Sequence, residues 1–175
     1  QYWYLKKTTK YAVKKASTVI VPSFATQQDL VKFFKCPREK IAVIPHGCDF
    51  RIKKLSTDQD SEVLKRMGIS KKDNFFLFIG RLEDKKNIKR LISAFLGFHE
   101  TFPNWKLILA GKRGQGFSNI MKKAMRVNAF KHVLMPGYIT ENEKHVLLKY
   151  CDAFVFPSLY EGFGFHDYSS SILIL

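Results

Sequence analysis

Three side chains hold most of the chemistry this sequence offers. Arg81 and Lys86 stand in Gly80-Arg81-Leu82-Glu83-Asp84-Lys85-Lys86-Asn87, after the apolar run Phe75 to Ile79 and before residues of helical spacing. Two cations at the end of a strand, beside the free N–H groups of a helix start, suit a diphosphate. Arginine offers a permanently charged fork, lysine a point charge. The same letters also fit two solvated cations in a lysine-rich loop. Glu161 follows Ala153–Phe156 and Pro157, and it precedes Gly162-Phe163-Gly164. Proline has no N–H for a neighbouring strand, so the ladder is expected to end there. The glycines let the backbone turn and approach a bound group. A surface turn with one solvated glutamate reads equally well. Gly111-Lys112-Arg113-Gly114-Gln115-Gly116 follows another apolar run and could bring backbone to a nucleotide, or leave Lys112 simply solvated.

These positions require elements to hold them. Residues 2–15 read as a basic helix, and Thr18–Val21 as a buried strand ended by Pro22. Ser23 offers an N-cap for a helix through Leu30, Phe33 and Phe34 that stops before Pro37. Ile41–Ile44 is a second strand, ended by Pro45 and followed by His46-Gly47-Cys48-Asp49, with His46 read as a turn residue. Residues 50–73 are polar and read as a linker with one short helix, Glu62 to Met67. Asp58-Gln59-Asp60 spells a metal-and-diphosphate signature, but in a polar linker it is read as a chance match.

From residue 74 onward strand and helix alternate. Phe75–Ile79 has the continuous apolar character of a strand covered on both faces. Ile88, Leu91, Ile92, Phe95 and Leu96 recur at helical spacing. Strand 106–110, helix 120–127, strand 133–135, helix 141–150 and strand 153–156 follow, with Thr140 and Glu143 as a capping box. This order predicts right-handed crossovers and a parallel, Rossmann-like sheet with flanking helices, an α/β fold.

Composition narrows the classes. Hydrophobic residues are 46% and aromatic residues 14% of 175, which marks globular material. No apolar run approaches the ~20 residues of a membrane span. The first residue is Gln1 and no leader pattern follows, so a signal peptide is neither seen nor ruled out. Cys36, Cys48 and Cys151 lack ligand or disulfide spacing, and the five histidines show none either, so no metal site and a reducing, cytoplasmic location are expected. Net charge is +15, and residues 1–54 carry 12 Lys/Arg against 3 Asp/Glu. Such a surface favours phosphate-bearing substrates, anionic headgroups or nucleic acid.

Several segments resemble one family in its own order, over roughly residues 11–165. Pro157-Ser158-Leu159-Tyr160-Glu161-Gly162-Phe163-Gly164 is similar to the donor-site segment of the GT-B glycosyltransferases of family 4, the "glycosyl transferases group 1" family. Gly80-Arg81-Leu82-Glu83 with Lys86-Asn87 resembles that family's diphosphate-binding stretch, and Gly111 with Lys112 its glycine loop. Gly137-Tyr138-Ile139 resembles the segment whose backbone lies beside the base, although a core tyrosine fits that position too. The resemblance implies that Arg81 and Lys86 hold the donor diphosphate, and that Glu161 bonds the transferred hexose. It also implies that the N–H groups of Gly162, Phe163 and Gly164 line the same pocket. The family's second glutamate would fall at Ser169, and the continuation after Phe165 departs from the pattern.

The implied chain is a partial GT-B architecture. Residues 1–49 would end the acceptor-side domain, 50–73 form the hinge, and 74–175 form an incomplete donor-binding domain. The implied reaction moves a sugar from a nucleoside-diphosphate-sugar to an acceptor hydroxyl, with retention and without a metal or other cofactor. The chain alone is expected to be inactive. The expected partners are the nucleotide-sugar and a saccharide or lipid-linked acceptor, with the inner face of an anionic membrane as a docking surface and no nucleic acid. A same-fold nucleotide-sugar epimerase and a basic polyanion-binding module are the alternative readings.

Overall fold

A β-branched run and a serine cap organise the N-terminal residues. The computed structural model describes residues 2–47 and 57–162, which fall into two units. The first holds residues up to 47 together with Glu161 and Gly162. Helix α1 (Tyr2–Lys15) precedes strand β1 (Val19–Val21), helix α2 (Phe24–Phe34) and strand β2 (Ile41–Val43). The two strands pair in parallel, Val19 opposite Ile41. Val13, Val21, Cys36 and Ile41 form the small core. Ser23 caps α2 as expected, its hydroxyl accepting from the Thr26 N–H at 3.1 Å. Helix α1 carries five lysines, no acid, and exposed Trp3, Tyr4, Leu5 and Tyr11.

The second unit holds residues 57–160 among those described. Its elements are helix α3 (Thr57–Arg66), strand β3 (Phe75–Ile79), helix α4 (Ile88–Thr101), strand β4 (Lys106–Ala110), helix α5 (Phe117–Arg126), strand β5 (Val133–Gly137), helix α6 (Glu141–Tyr150) and strand β6 (Ala153–Phe154). All pairings are parallel and the strand order is β5-β4-β3-β6. The expected α/β sheet with flanking helices is therefore what forms. Its side chains alternate between two cores. Phe78, Leu107 and Leu109 face Leu91, Ile92, Phe95 and Ile120 of α4 and α5. Phe75, Leu77, Ile108 and Ala110 face Leu64 of α3 and Val146 and Leu147 of α6. Each fully buried Leu, Ile or Phe contributes about 1.5–3 kcal/mol, so both faces need their helices.

Several details differ from the sequence reading, among them strand β6, which pairs only over Ala153–Phe154 and stops short of the expected Phe156. The polar stretch before residue 74 carries a helix that starts at Thr57, five residues ahead of the expected one, and Leu64, Met67 and Ile69 are core residues. A helix with few apolar positions reads as linker when the partner that buries those few is distant in sequence. Strand β5 continues through Pro136 to Gly137, two residues past the expected end. It is the edge strand and its pairing with β4 shifts register between Ile108 and Ala110, where a missing N–H is tolerated. Helix α5 begins at Phe117, three residues early, because Gly116 at φ 81 starts the helical turn.

The Asp-x-Asp match lies within α3. Asp60 is 1% exposed and accepts from Lys149 Nζ at 2.6 Å and Tyr150 Oη at 3.0 Å, tying α3 to α6. Burial alone would raise its pKa, yet the bonds from Lys149 and Tyr150 and the Lys149 and Lys71 charges outweigh it and hold the carboxyl below its ordinary 3.8. Glu143 behaves alike: burial opposes ionisation, while the Thr140 N–H and hydroxyl and the Arg66 charge prevail and lower it. The unfolded chain therefore takes up more protons than the folded one as pH falls below about 4. Stability from these groups is complete above that range and is lost as pH drops through their folded values. Asp60→Asn is expected to flatten this acid limb in urea-melt midpoints measured from pH 6 to 3; an unchanged slope would remove Asp60 from the account.

Candidate functional site

Every parallel strand of the second unit delivers its next loop to the same sheet edge. The loop after β3 is Gly80–Asn87, that after β4 is Gly111–Gly116, Tyr138 follows β5, and residues 155–160 follow β6. Hydrogen bonds continue the ladder past the sheet. Leu82 N–H donates to Lys112 O at 2.9 Å, and Gly114 N–H donates back to Leu82 O at 3.0 Å. Leu82, 2% exposed, anchors this bridge in the core below. Leu159 N–H donates to Lys85 O at 3.0 Å, joining the loops after β3 and β6. Gly111 N–H donates to Gly137 O at 2.7 Å, joining the loop after β4 to the end of β5. Arg81, Lys86, Lys112 and Tyr138 are thus carried on loops fastened to one another.

Two cations in and just after the β3 loop pair with its own carboxylates. Lys85 Nζ lies 3.3 Å from Glu83, and Lys89 Nζ, in the first turn of α4, 2.9 Å from Asp84. Arg81 is exposed and, among the described residues, no carboxylate pairs with it. Lys86 is half-buried, its Nζ 4.9 Å from the centroid of the Phe156 ring. Phe156 stacks on Phe78 at 5.9 Å, so this seat is continuous with the core. Lys112 Nζ stands 4.7 Å over the Tyr138 ring, with Tyr138 68% exposed. The core placement left open for Tyr138 is therefore excluded, whereas Ile139 beside it is buried among the α6 side chains. Helix α4 starts at this edge with Asn87 at φ 59 and no side-chain cap. Together these groups form a cationic edge with an exposed aromatic, suited to a phosphorylated ligand carrying a planar ring.

Glu161 and Gly162 belong to the first unit. There the Gly162 carbonyl accepts from Ser23 Oγ and, at 2.9 Å, from Thr26 Oγ1. The hydroxyls at the start of α2 thus hold the glycine that follows the candidate carboxylate, a link the sequence reading missed; a serine N-cap gives no sign of a second task. Phe156 was missed too, since an aromatic at a strand end looks like any core residue. Phe163, Gly164 and Ser169 lie outside the described residues.

The family described as "Glycosyl transferases group 1" matches residues 59–166, and that described as "Glycosyltransferase Family 4" matches residues 1–51. The O-antigen chain mannosyltransferase B of Escherichia coli is 26% identical over 162 residues, covering 92% of this chain and 42% of the relative. An uncharacterised glycosyltransferase of Methanocaldococcus jannaschii is 30% identical over 154 residues, covering 87% of this chain and 37% of its own length. The chain thus spans about two fifths of these relatives. Among solved structures, Anabaena HepE in complex with UDP and glucose superposes with a TM-score of 0.72 at 23% identity, over 88% of this chain and 41% of that one. Sucrose-phosphate synthase from Thermosynechococcus elongatus superposes at 0.73 with 23% identity, over 91% of this chain and 39% of that one. At this identity the likeness concerns the fold, which is the GT-B type expected from the sequence.

Proposed function

Because the chain belongs to the glycosyl transferases group 1 family, we propose that it carries the donor-binding part of an enzyme that moves a sugar from a nucleoside-diphosphate donor to an acceptor hydroxyl. One observation supports this above the rest: Arg81, Lys86 and Lys112 ride on loops fastened together at one sheet edge, with Tyr138 exposed beside them. In this reading Arg81 and Lys86 bind the diphosphate, and Lys112 and Tyr138 border the base with the backbone of Ile139. The glycosidic bond breaks with its electron pair going to the diphosphate oxygen. The two cations, fixed before reaction, then stabilise charge as it grows, without the reorganisation that water would need. Glu161, with the backbone of Gly162, Phe163 and Gly164, would orient the sugar, and transfer would retain the anomeric configuration. HepE and its bound UDP and glucose make a nucleotide-sugar the reasonable donor class.

Titrating the purified chain with UDP and GDP against UMP and GMP tests the core of this reading. The diphosphate is expected to bind at least about tenfold more tightly than its monophosphate, since each charge-assisted bond contributes ~1.5–3 kcal/mol. Equal binding of the two would refute it. We also propose that α1 docks on an anionic membrane face, which its lysines and exposed Trp3, Tyr4 and Tyr11 would suit. This would be the inner face, in keeping with the cytoplasmic location expected from the sequence. Flotation with anionic but not neutral vesicles is the corresponding result.

A further inference from the structure

Gly114 is a glycine for a different reason from its neighbours. Gly111 and Gly116 hold φ of 143 and 81, which side chains resist, whereas Gly114 is absent from the positive-φ residues. Any residue could adopt its backbone; what it lacks is room. A Cβ at Gly114 would lie 2.6 Å from Arg81 Cγ, 2.8 Å from Arg81 Cδ and 2.8 Å from Glu83 Cβ. The aliphatic stem of Arg81 therefore lies against the bare backbone of the loop after β4. Neither backbone can retreat, because Leu82 and Gly114 are bonded across the two loops and Leu82 is set in the core.

We propose that Gly114 is a positioning residue: its missing side chain is the seat that aims the Arg81 guanidinium along the sheet edge. The proposal rests on the reading that Arg81 binds the donor diphosphate. A methyl group at position 114 drives the stem to another rotamer and swings the guanidinium off the edge. An arginine with four rotatable bonds has few other restraints here. Its stem packs on this loop, and among the described residues no carboxylate holds its head. The glycine thus supplies the order that an ion pair would supply elsewhere, while leaving the charge available.

The test is a four-member set, wild type, G114A, R81A and the double variant, measured for binding of UDP, GDP and their monophosphates and for thermal midpoint. G114A is expected to weaken diphosphate binding about tenfold, the loss of one charge-assisted bond, with monophosphate binding little changed. In the R81A background the same substitution is expected to change diphosphate binding by less than about twofold. The thermal midpoint lost in G114A should be partly restored by R81A, since truncation at Cβ removes the two arginine atoms in the way. Should G114A fail to fold, recovery of a folded double variant supports the seat and its absence overturns it. If R81A loses the preference for diphosphate but folded G114A keeps it, the inference fails while the functional reading stands. If R81A itself keeps that preference, the functional reading fails and the inference with it.

Discussion

Arg81→Ala, introduced into the enzyme that carries this chain, is expected to lower kcat/KM for sugar transfer by about 10²–10³, the usual cost of removing one preorganised group aimed at developing charge. The loss should fall mainly on kcat if the contact strengthens as the diphosphate departs, and on KM if it is made equally in the ground state. Arg81 is exposed, so the thermal midpoint should barely move, in line with the ±0.5 kcal/mol of ordinary surface substitutions. That separation between activity and stability is what distinguishes a ligand-binding arginine from a solvated one. Lysine at the same position would keep the charge but lose the forked geometry, and is expected to recover only part of the rate. A loss under threefold for the alanine variant would reject the assigned role.

Gly111→Ala should act in the opposite way, through the fold. A Cβ there would stand 1.9 Å from the Gly80 carbonyl oxygen and 2.7 Å from its carbon. These are backbone atoms, and no side-chain rotation relieves them. The φ of 143 adds strain of about 1–3 kcal/mol for any residue but glycine. Displacing the Gly80 carbonyl adds about 1–3 kcal/mol more, as overpacking does in cores. Gly80 N–H donates to Ala110 O at 2.9 Å, so the same movement pulls at the end of the central ladder. The expected result is a fall in Tm of about 10 °C or more, or failure to accumulate as soluble protein. Diphosphate binding should decline with it, because the loop of Arg81 begins at Gly80. A Tm within 2 °C of wild type, roughly half a kcal/mol for a unit of this size, would mean that the two loops do not approach as described.

Much of this was written in local patterns. The runs at 75–79 and 106–110 became the central strands with the expected bounds, because after Lys106 neither holds a polar position to blur its course. Thr140 and Glu143 formed the reciprocal cap over helix Glu141–Tyr150, since that device needs only the right spacing. Cations placed after strands fell at the carboxyl edge of the sheet, which follows from parallel topology alone. In each case the determining residues are close in sequence, so composition and period are enough.

The remainder depended on partners far along the chain. Nothing near Asp60 announces that Lys149 and Tyr150 will enclose it. Nothing near Thr57 shows that a polar helix has α6 to bury its few apolar side chains. The three glycines of the loop after β4 look alike as letters, yet Gly111 yields to a neighbouring carbonyl, Gly116 to a left-handed turn and Gly114 to the stem of an arginine. Which loops meet is settled by the strand order β5-β4-β3-β6, and that order arises from packing between segments tens of residues apart. The chain's own letters determined which groups could grip a phosphate; only the folded sheet decided which of them are held side by side.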